Sequence, residues 1–247
     1  MIFLQKILIR NLTVKYGNKI ILDNLNFFVN NGDFIVILGK SGAGKSTLLN
    51  SINKFIKFTG KVIIDNKDIG KLSTKNMKKI RRKTGIIFQD YNVFNNLNVL
   101  ENTMLPFLSR KNIFQTLLNV YTKNEYKKAI MSLHKVGLSD KDIYRKTKYL
   151  SGGQKQRLAI ARMLCQEPDL ILADEPISSL DIKNSEEIMT LFSDLNKNRK
   201  ITIIMSLHDV KIAKKYSDKI IGIKEGKVIF YKNTEEVTND EIEDLYV

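Results

Sequence analysis

At 247 residues the chain has the length of one large α/β domain or of a core with attached subdomains, and one shared core is the expectation. Its 41 Lys+Arg against 26 Asp+Glu leave a formal charge of +15, but the lysines are spread through Lys75 to Lys83, Lys123 to Lys128, Lys141 to Lys148 and Lys197 to Lys200. Without an aromatic-interleaved basic stripe no nucleic-acid partner is expected; solvated helix faces are, with attraction to nucleotide phosphates or to an anionic membrane leaflet second. No window approaches the roughly 18 consecutive apolar residues of a membrane span, and Met1 to Leu4 is interrupted at Gln5-Lys6 before a signal-peptide core develops, so a cytoplasmic chain is expected. The single cysteine, Cys165, has no intrachain partner and sits in an apolar, helix-like stretch, which points to packing.

From the N-terminus, apolar and polar residues alternate through Leu4 to Arg10 and Ile20 to Leu25 until the turn Asn30-Asn31-Gly32-Asp33, as in antiparallel strands with one solvated face. The apolar run Phe34 to Leu38 then reads as a buried strand. It feeds Gly39-Lys40-Ser41-Gly42-Ala43-Gly44-Lys45-Ser46, and Thr47-Leu48-Leu49 continue into a helix. Glycines at 39, 42 and 44 permit positive φ and close backbone approach, so amides at a helix N-terminus can cradle phosphates. Lys45 then reaches the β/γ oxygens of a nucleoside triphosphate and Ser46 holds Mg²⁺. A short strand at Lys61 to Ile64, a lysine-rich helix over Thr74 to Lys83 and an apolar strand Gly85 to Phe88 ending at Gln89 follow.

Between residues 90 and 149 strand signals vanish, and Ala129, Ile130, Leu133 and Val136 recur at helical spacing, which predicts an inserted, mostly helical subdomain. Strand patterns return at Leu170 to Ala173 and Ile201 to Met205 with helices between, the alternation of a parallel sheet. A hairpin over Lys219 to Phe230, turning at Glu225-Gly226, precedes a polar C-terminal helix. The predicted fold is α/β: a P-loop core with a mainly parallel sheet, an N-terminal antiparallel β subdomain and the helical insertion. The divisions fall at 1–89, 90–149 and 150–247 within one domain.

Two further stretches narrow the chemistry. Leu170 to Ala173 ends in Asp174-Glu175, where a buried strand can offer Asp174 to Mg²⁺ and Glu175 to an attacking water. Leu150-Ser151-Gly152-Gly153-Gln154, running into Lys155 to Arg162, is a second loop-to-helix anion site; a plain N-cap accounts for Ser151 alone and not for the two glycines.

At these residues the chain resembles the ATP-binding cassette family, over nearly its whole length and in the expected order. That resemblance implies an ATPase in which Gly39 to Thr47 and Asp174-Glu175 of one subunit face Ser151 to Gln154 of another, so that a homodimer sandwiches two ATP molecules. It further implies that Gln89 touches Mg²⁺ or water and senses a membrane partner, that His208 contacts the γ-phosphate, that Asp181 in Ser179-Leu180-Asp181 belongs to the loop crossing the dimer, and that Tyr16 stacks on adenine. His134 matches nothing and is expected on a helix surface.

A single cassette without membrane spans is similar to transporter ATPases whose permease is a separate polypeptide, working at the cytoplasmic face of the membrane. The stretch Ser206 to Ile223 resembles the phosphonate-importer branch, which implies uptake of phosphonate or a related oxyanion with an extracytoplasmic substrate-binding protein. Thr103 to Leu108 is closer to the lipoprotein-release and macrolide-export branches. A soluble cassette acting on nucleic acid or ribosomes is the third alternative.

Overall fold

The structure, a computed structural model, describes residues 5–111, 114 and 120–247. Part of the predicted helical segment, 112–113 and 115–119, lies outside the described residues. Two sheets organise the chain. The first has the order β2-β1-β4-β5 and is antiparallel, from β1 (Gln5–Tyr16), β2 (Lys19–Asn30), β4 (Thr59–Ile64) and β5 (Lys67–Asp68). The second has the order β10-β9-β3-β8-β7-β6, from β3 (Phe34–Leu38), β6 (Thr84–Ile87), β7 (Leu170–Asp174), β8 (Thr202–Ser206), β9 (Lys219–Lys224) and β10 (Lys227–Asn233). All its neighbours are parallel except the β9–β10 hairpin.

Every residue of β3 is buried because the second sheet is covered on both faces. Phe34, Val36 and Leu38 point into one apolar layer while Ile35 and Ile37 point into the other. The interior is thus two apolar layers sharing one sheet. One layer joins this sheet to the antiparallel sheet through helix α1 (Lys45–Ile52), with Leu48 and Ile52 packed beside Leu12 and Leu22. The other holds α3 (Val99–Leu108), α4 (Lys123–Lys135), α5 (Gly152–Cys165) and α6 (Ile182–Arg199). There Phe192 is wholly buried, and Ala129 and Leu133 of the helical-spacing series are buried on α4. Helices α2 (Thr74–Arg81), α7 (Val210–Tyr216) and α8 (Asn239–Tyr246) complete the set.

Helix starts follow the local chemistry of the sequence. Asn98, Thr122, Ser151 and Thr238 each accept a backbone N–H three residues on, while Glu101, Glu125, Gln154 and Glu241 reach back to close capping boxes. One element lies elsewhere than chain order suggests. The strand after the α1 loop pairs antiparallel with β1, Ile7 opposite Ile64, and so belongs to the outer sheet. Cys165 is buried in α5 as expected, and His134 is exposed near the end of α4, 2.7 Å from Asp140.

Candidate nucleotide-binding site

The phosphate loop leaves the C-terminal end of β3 with φ of 153° at Gly39, 80° at Gly42 and 109° at Gly44. A Cβ on Gly39 would run into the Ile223 carbonyl oxygen, and one on Gly44 into the Leu22 side chain, so bare backbone is needed at both. The β9–β10 turn braces the loop: Gly226 donates its N–H to the Ala43 carbonyl at 3.1 Å, and its own carbonyl accepts from Asp23 N–H at 2.9 Å. Among the described residues no side chain caps the N-terminus of α1. Its first amides and the positive end of its dipole therefore stay free for an anion.

Lys45 is 5% exposed, and its Nζ donates to the carbonyls of Gly39 at 2.8 Å and Lys40 at 3.0 Å. Burial pushes its pKa below the ordinary lysine value, while the charges of Glu175 and Asp174 act in the opposite sense. A buried ammonium held by loop carbonyls is poised to exchange them for the stronger acceptors of a phosphate. Lys40 itself is exposed and donates to the Val247 carbonyl at 2.6 Å, away from the loop.

Across the loop, β7 ends in Asp174, and Glu175 turns out of the strand with φ of 50°. That left-handed conformation is held on three sides. Glu175 N–H donates to Ser206 Oγ at 3.0 Å, and its carbonyl accepts from Ser178 Oγ at 3.1 Å and Gln156 Nε2 at 3.3 Å. The carboxylate is left facing His208 Nε2 at 2.5 Å and accepting from Gln89 Nε2 at 3.2 Å. Ser41, Gly42, Gly44 to Thr47, Gln89 and Glu175 enclose a cavity of about 150 Å³. Asp174 is not among the residues lining it, and its carboxylate accepts from Ser206 Oγ at 2.6 Å. Ser206 and Gln156, which brace Glu175, are sequence positions the motif reading missed; the serine closing an apolar strand was the one local signal.

The oxygen donors Ser46, Gln89 and Asp174 match the hard ligands that Mg²⁺ takes, and they are too few to close its shell, so phosphate oxygens and water fit the remaining positions. Among the described residues no cluster of three His, Cys, Asp or Glu forms a self-sufficient metal site.

The other expected contributors lie outside this cavity. Ser151 caps α5: its Oγ accepts from Gln154 N–H at 3.3 Å, and its own N–H donates to Gln154 Oε1 at 3.1 Å. Ser151 and Gly152 are exposed, with Gly152 lying near Ser179 and Gly153 against Leu180. Asp181 caps α6. Tyr16 ends β1 and is 55% exposed.

A glycine loop closing on a buried lysine, opposite a strand-end carboxylate pair, defines a P-loop nucleoside-triphosphate hydrolase. The chain belongs to the ABC transporter family, whose model matches residues 22–178, and it is an ATP-binding ATPase of that family. It is similar to the phosphonates import ATP-binding protein of Fusobacterium nucleatum, 49% identical over 239 residues that cover 96% of each chain. A phosphonates import ATP-binding protein of Halalkalibacterium halodurans is 41% identical over 239 residues, 96% of this chain and 92% of that one. Among solved structures, a dimeric ATP-binding cassette in a post-hydrolysis state with ADP and Pi superposes with a TM-score of 0.83 at 36% identity, covering 92% of this chain and 98% of that one. A component of the cbiONQ ABC transporter complex of Clostridium perfringens gives 0.81 at 32% identity, covering 96% and 92%. Among the described residues no helix is long and apolar enough to cross a membrane.

Proposed function

We propose that this chain powers uptake of phosphonate or a related oxyanion, hydrolysing ATP at a site shared between two copies of itself and working at the cytoplasmic face of the membrane on a separate permease. The observation that carries the catalytic part is the convergence of Lys45, Gln89 and Glu175 on one cavity beside a free helix N-terminus. Lys45 exchanges the Gly39 and Lys40 carbonyls for β/γ-phosphate oxygens, and the amides of Gly42 to Thr47 take the rest. Ser46, Asp174 and Gln89 would hold Mg²⁺, which would supply positive charge against the charge developing on the phosphates. Glu175 orients the attacking water and accepts its proton. His208, 2.5 Å from that carboxylate, is within reach of a γ-phosphate lying beside it.

The sandwich is supported by what a single copy leaves uncovered. Ser151 and Gly152 are exposed, and a hollow of about 540 Å³ lined by Glu175, Leu180, Ile182, His208 and Ile212 opens beside them, with Ile182 85% exposed. A second copy brings its Ser151 to Gln154 onto the bound ATP and covers this apolar surface, while Tyr16 stacks on the adenine. A separate groove of about 690 Å³, lined by Lys78, Arg81, Phe94, Leu105, Pro106 and Arg162, runs between the core and the helical segment. Its mixture of apolar floor and cationic rim suits a permease segment, and Gln89 follows the strand whose Ile86 lines it.

The oxyanion assignment rests on the similarity to phosphonates import ATP-binding proteins. Membranes carrying this chain, its copurifying permease and any soluble substrate-binding partner are expected to accumulate labelled alkylphosphonate or phosphate in an ATP-dependent way that Lys45→Ala abolishes. Copurification with an exporter-type permease, or uptake confined to amino acids or metals, would refute the oxyanion reading and leave the ATPase standing.

A further inference from the structure

Arg157 lies six residues beyond the Ser151 cap, and its side chain is 12% exposed. Nη1 donates to the carbonyl of Val136, the residue closing α4, at 2.5 Å. Nη2 donates to Asn184 Oδ1 and to Glu187 Oε2, the latter at 3.2 Å, both in α6. The next turn of the chain accommodates the guanidinium: Gly137 has φ of 72°, and a Cβ there would collide with Nη1. One side chain thus ties the end of α4, the helix after Ser151 and the first turns of α6.

Asn184 continues the connection. Its Nδ2 donates to Asp181 Oδ2 at 2.6 Å, and its backbone N–H donates to Asp181 Oδ1 at 2.9 Å. These bonds hold the Asp181 carboxylate below its usual range, the backbone amide most and the side-chain amide next. An arginine can only donate, so the oxygen of the Asn184 amide must face Arg157 and its nitrogen must face Asp181. Released from Arg157, the amide can turn over and set its oxygen against a carboxylate, which repels it.

We propose that Arg157 and Asn184 are positioning residues for Asp181, transmitting the orientation of the α4 end to the carboxylate that faces a second copy. The proposal rests on the cross-dimer reading of Asp181 given above. It assigns Asn184 the role of a polarity-matched link, an acceptor toward Arg157 and a donor toward Asp181. Neither residue touches ATP.

Asn184→Asp separates these functions, because it still accepts from Arg157 but turns a carboxylate toward Asp181. In the full chain with its permease in vesicles, this variant is expected to lower kcat about five-fold or more with KM for ATP within about two-fold, at an unchanged melting temperature. Arg157→Lys cannot reach Val136 and Asn184 together and should give a smaller loss in kcat. In an Asp181→Ala background neither substitution should lower kcat further. Losses that multiply in that background would overturn the proposal, as would an unimpaired Asn184→Asp beside an impaired Asp181→Ala. An Asp181→Ala chain with unchanged kcat would instead overturn the reading of Asp181, and the link with it.

Discussion

Replacing Glu175 by glutamine removes a proton acceptor while leaving nearly all of its surroundings in place. The backbone of Glu175 is anchored by Ser206, Gln156 and Ser178 through its own N–H and C=O, which the substitution does not touch. Of the two side-chain contacts, Gln89 can donate to the new amide oxygen as it does to Oε2 at 3.2 Å. The amide nitrogen can donate to His208 Nε2 when the imidazole proton sits on Nδ1. With both contacts replaceable, folding stability should change by less than about 1 kcal/mol. Turnover should fall by about 10² to 10⁴, a barrier increase of about 2.7 to 5.5 kcal/mol, because an amide cannot take the proton of the attacking water. ATP affinity should hold or tighten, since a negative charge beside the triphosphate is gone. Phosphate release at saturating ATP, nucleotide titration and size exclusion with ATP test the three parts together, the last expecting an accumulated ATP-bound dimer. Turnover within about two-fold of the unsubstituted chain would remove Glu175 from the chemistry. Loss of nucleotide binding in step with turnover would mean that the substitution had disturbed the site and not only the base.

A shared site predicts complementation. Lys45→Ala and Ser151→Arg chains, each inactive alone, should regain hydrolysis on mixing, because their heterodimer contains one intact composite site; no recovery in demonstrated heterodimers would count against the sandwich or against single-site sufficiency. For Cys165, burial pushes the thiol up to about 11, so the native chain should resist an aromatic disulfide reagent at pH 8 and react once unfolded, whereas rapid native labelling would contradict its packing. The unfolded thiol ionises near its ordinary value of 9.0 and the folded one near 11. Stability from this group is therefore full below pH 9 and lost as pH rises toward 11, by up to about 3 kcal/mol, measurable as a falling denaturation midpoint that Cys165→Ala flattens.

The nucleotide site was legible wherever its chemistry is short-range. Gly39 to Ser46 declares a phosphate loop because three glycines, a lysine and a helix start must occur within eight consecutive residues for the geometry to exist at all. The strand ending in Asp174-Glu175 declares a carboxylate pair at a strand end for the same reason. The parallel sheet was legible from apolar runs too continuous for a one-sided strand, and the outer strands from their alternation. Family resemblance supplied the roles proposed for Gln89, Asp181 and His208, which periodicity alone leaves as ordinary strand-end or helix-cap residues.

What the sequence by itself determined is therefore local: where strands and helices begin, which backbone positions must be glycine, and that phosphates and a hard cation suit the residues gathered there. Tertiary structure decided which of these meet. Gln89 and Glu175 lie 86 positions apart and His208 another 33 beyond Glu175, yet all three share one carboxylate because β6, β7 and β8 are neighbours in a parallel sheet whose ends they terminate. The pairing of β4 with β1, the Ser206 and Gln156 braces behind Glu175 and the span of Arg157 from Val136 to Asn184 came from the same source. Such contacts carry no spacing rule along the chain: register and packing of distant segments set them, and a residue's own neighbours in sequence do not.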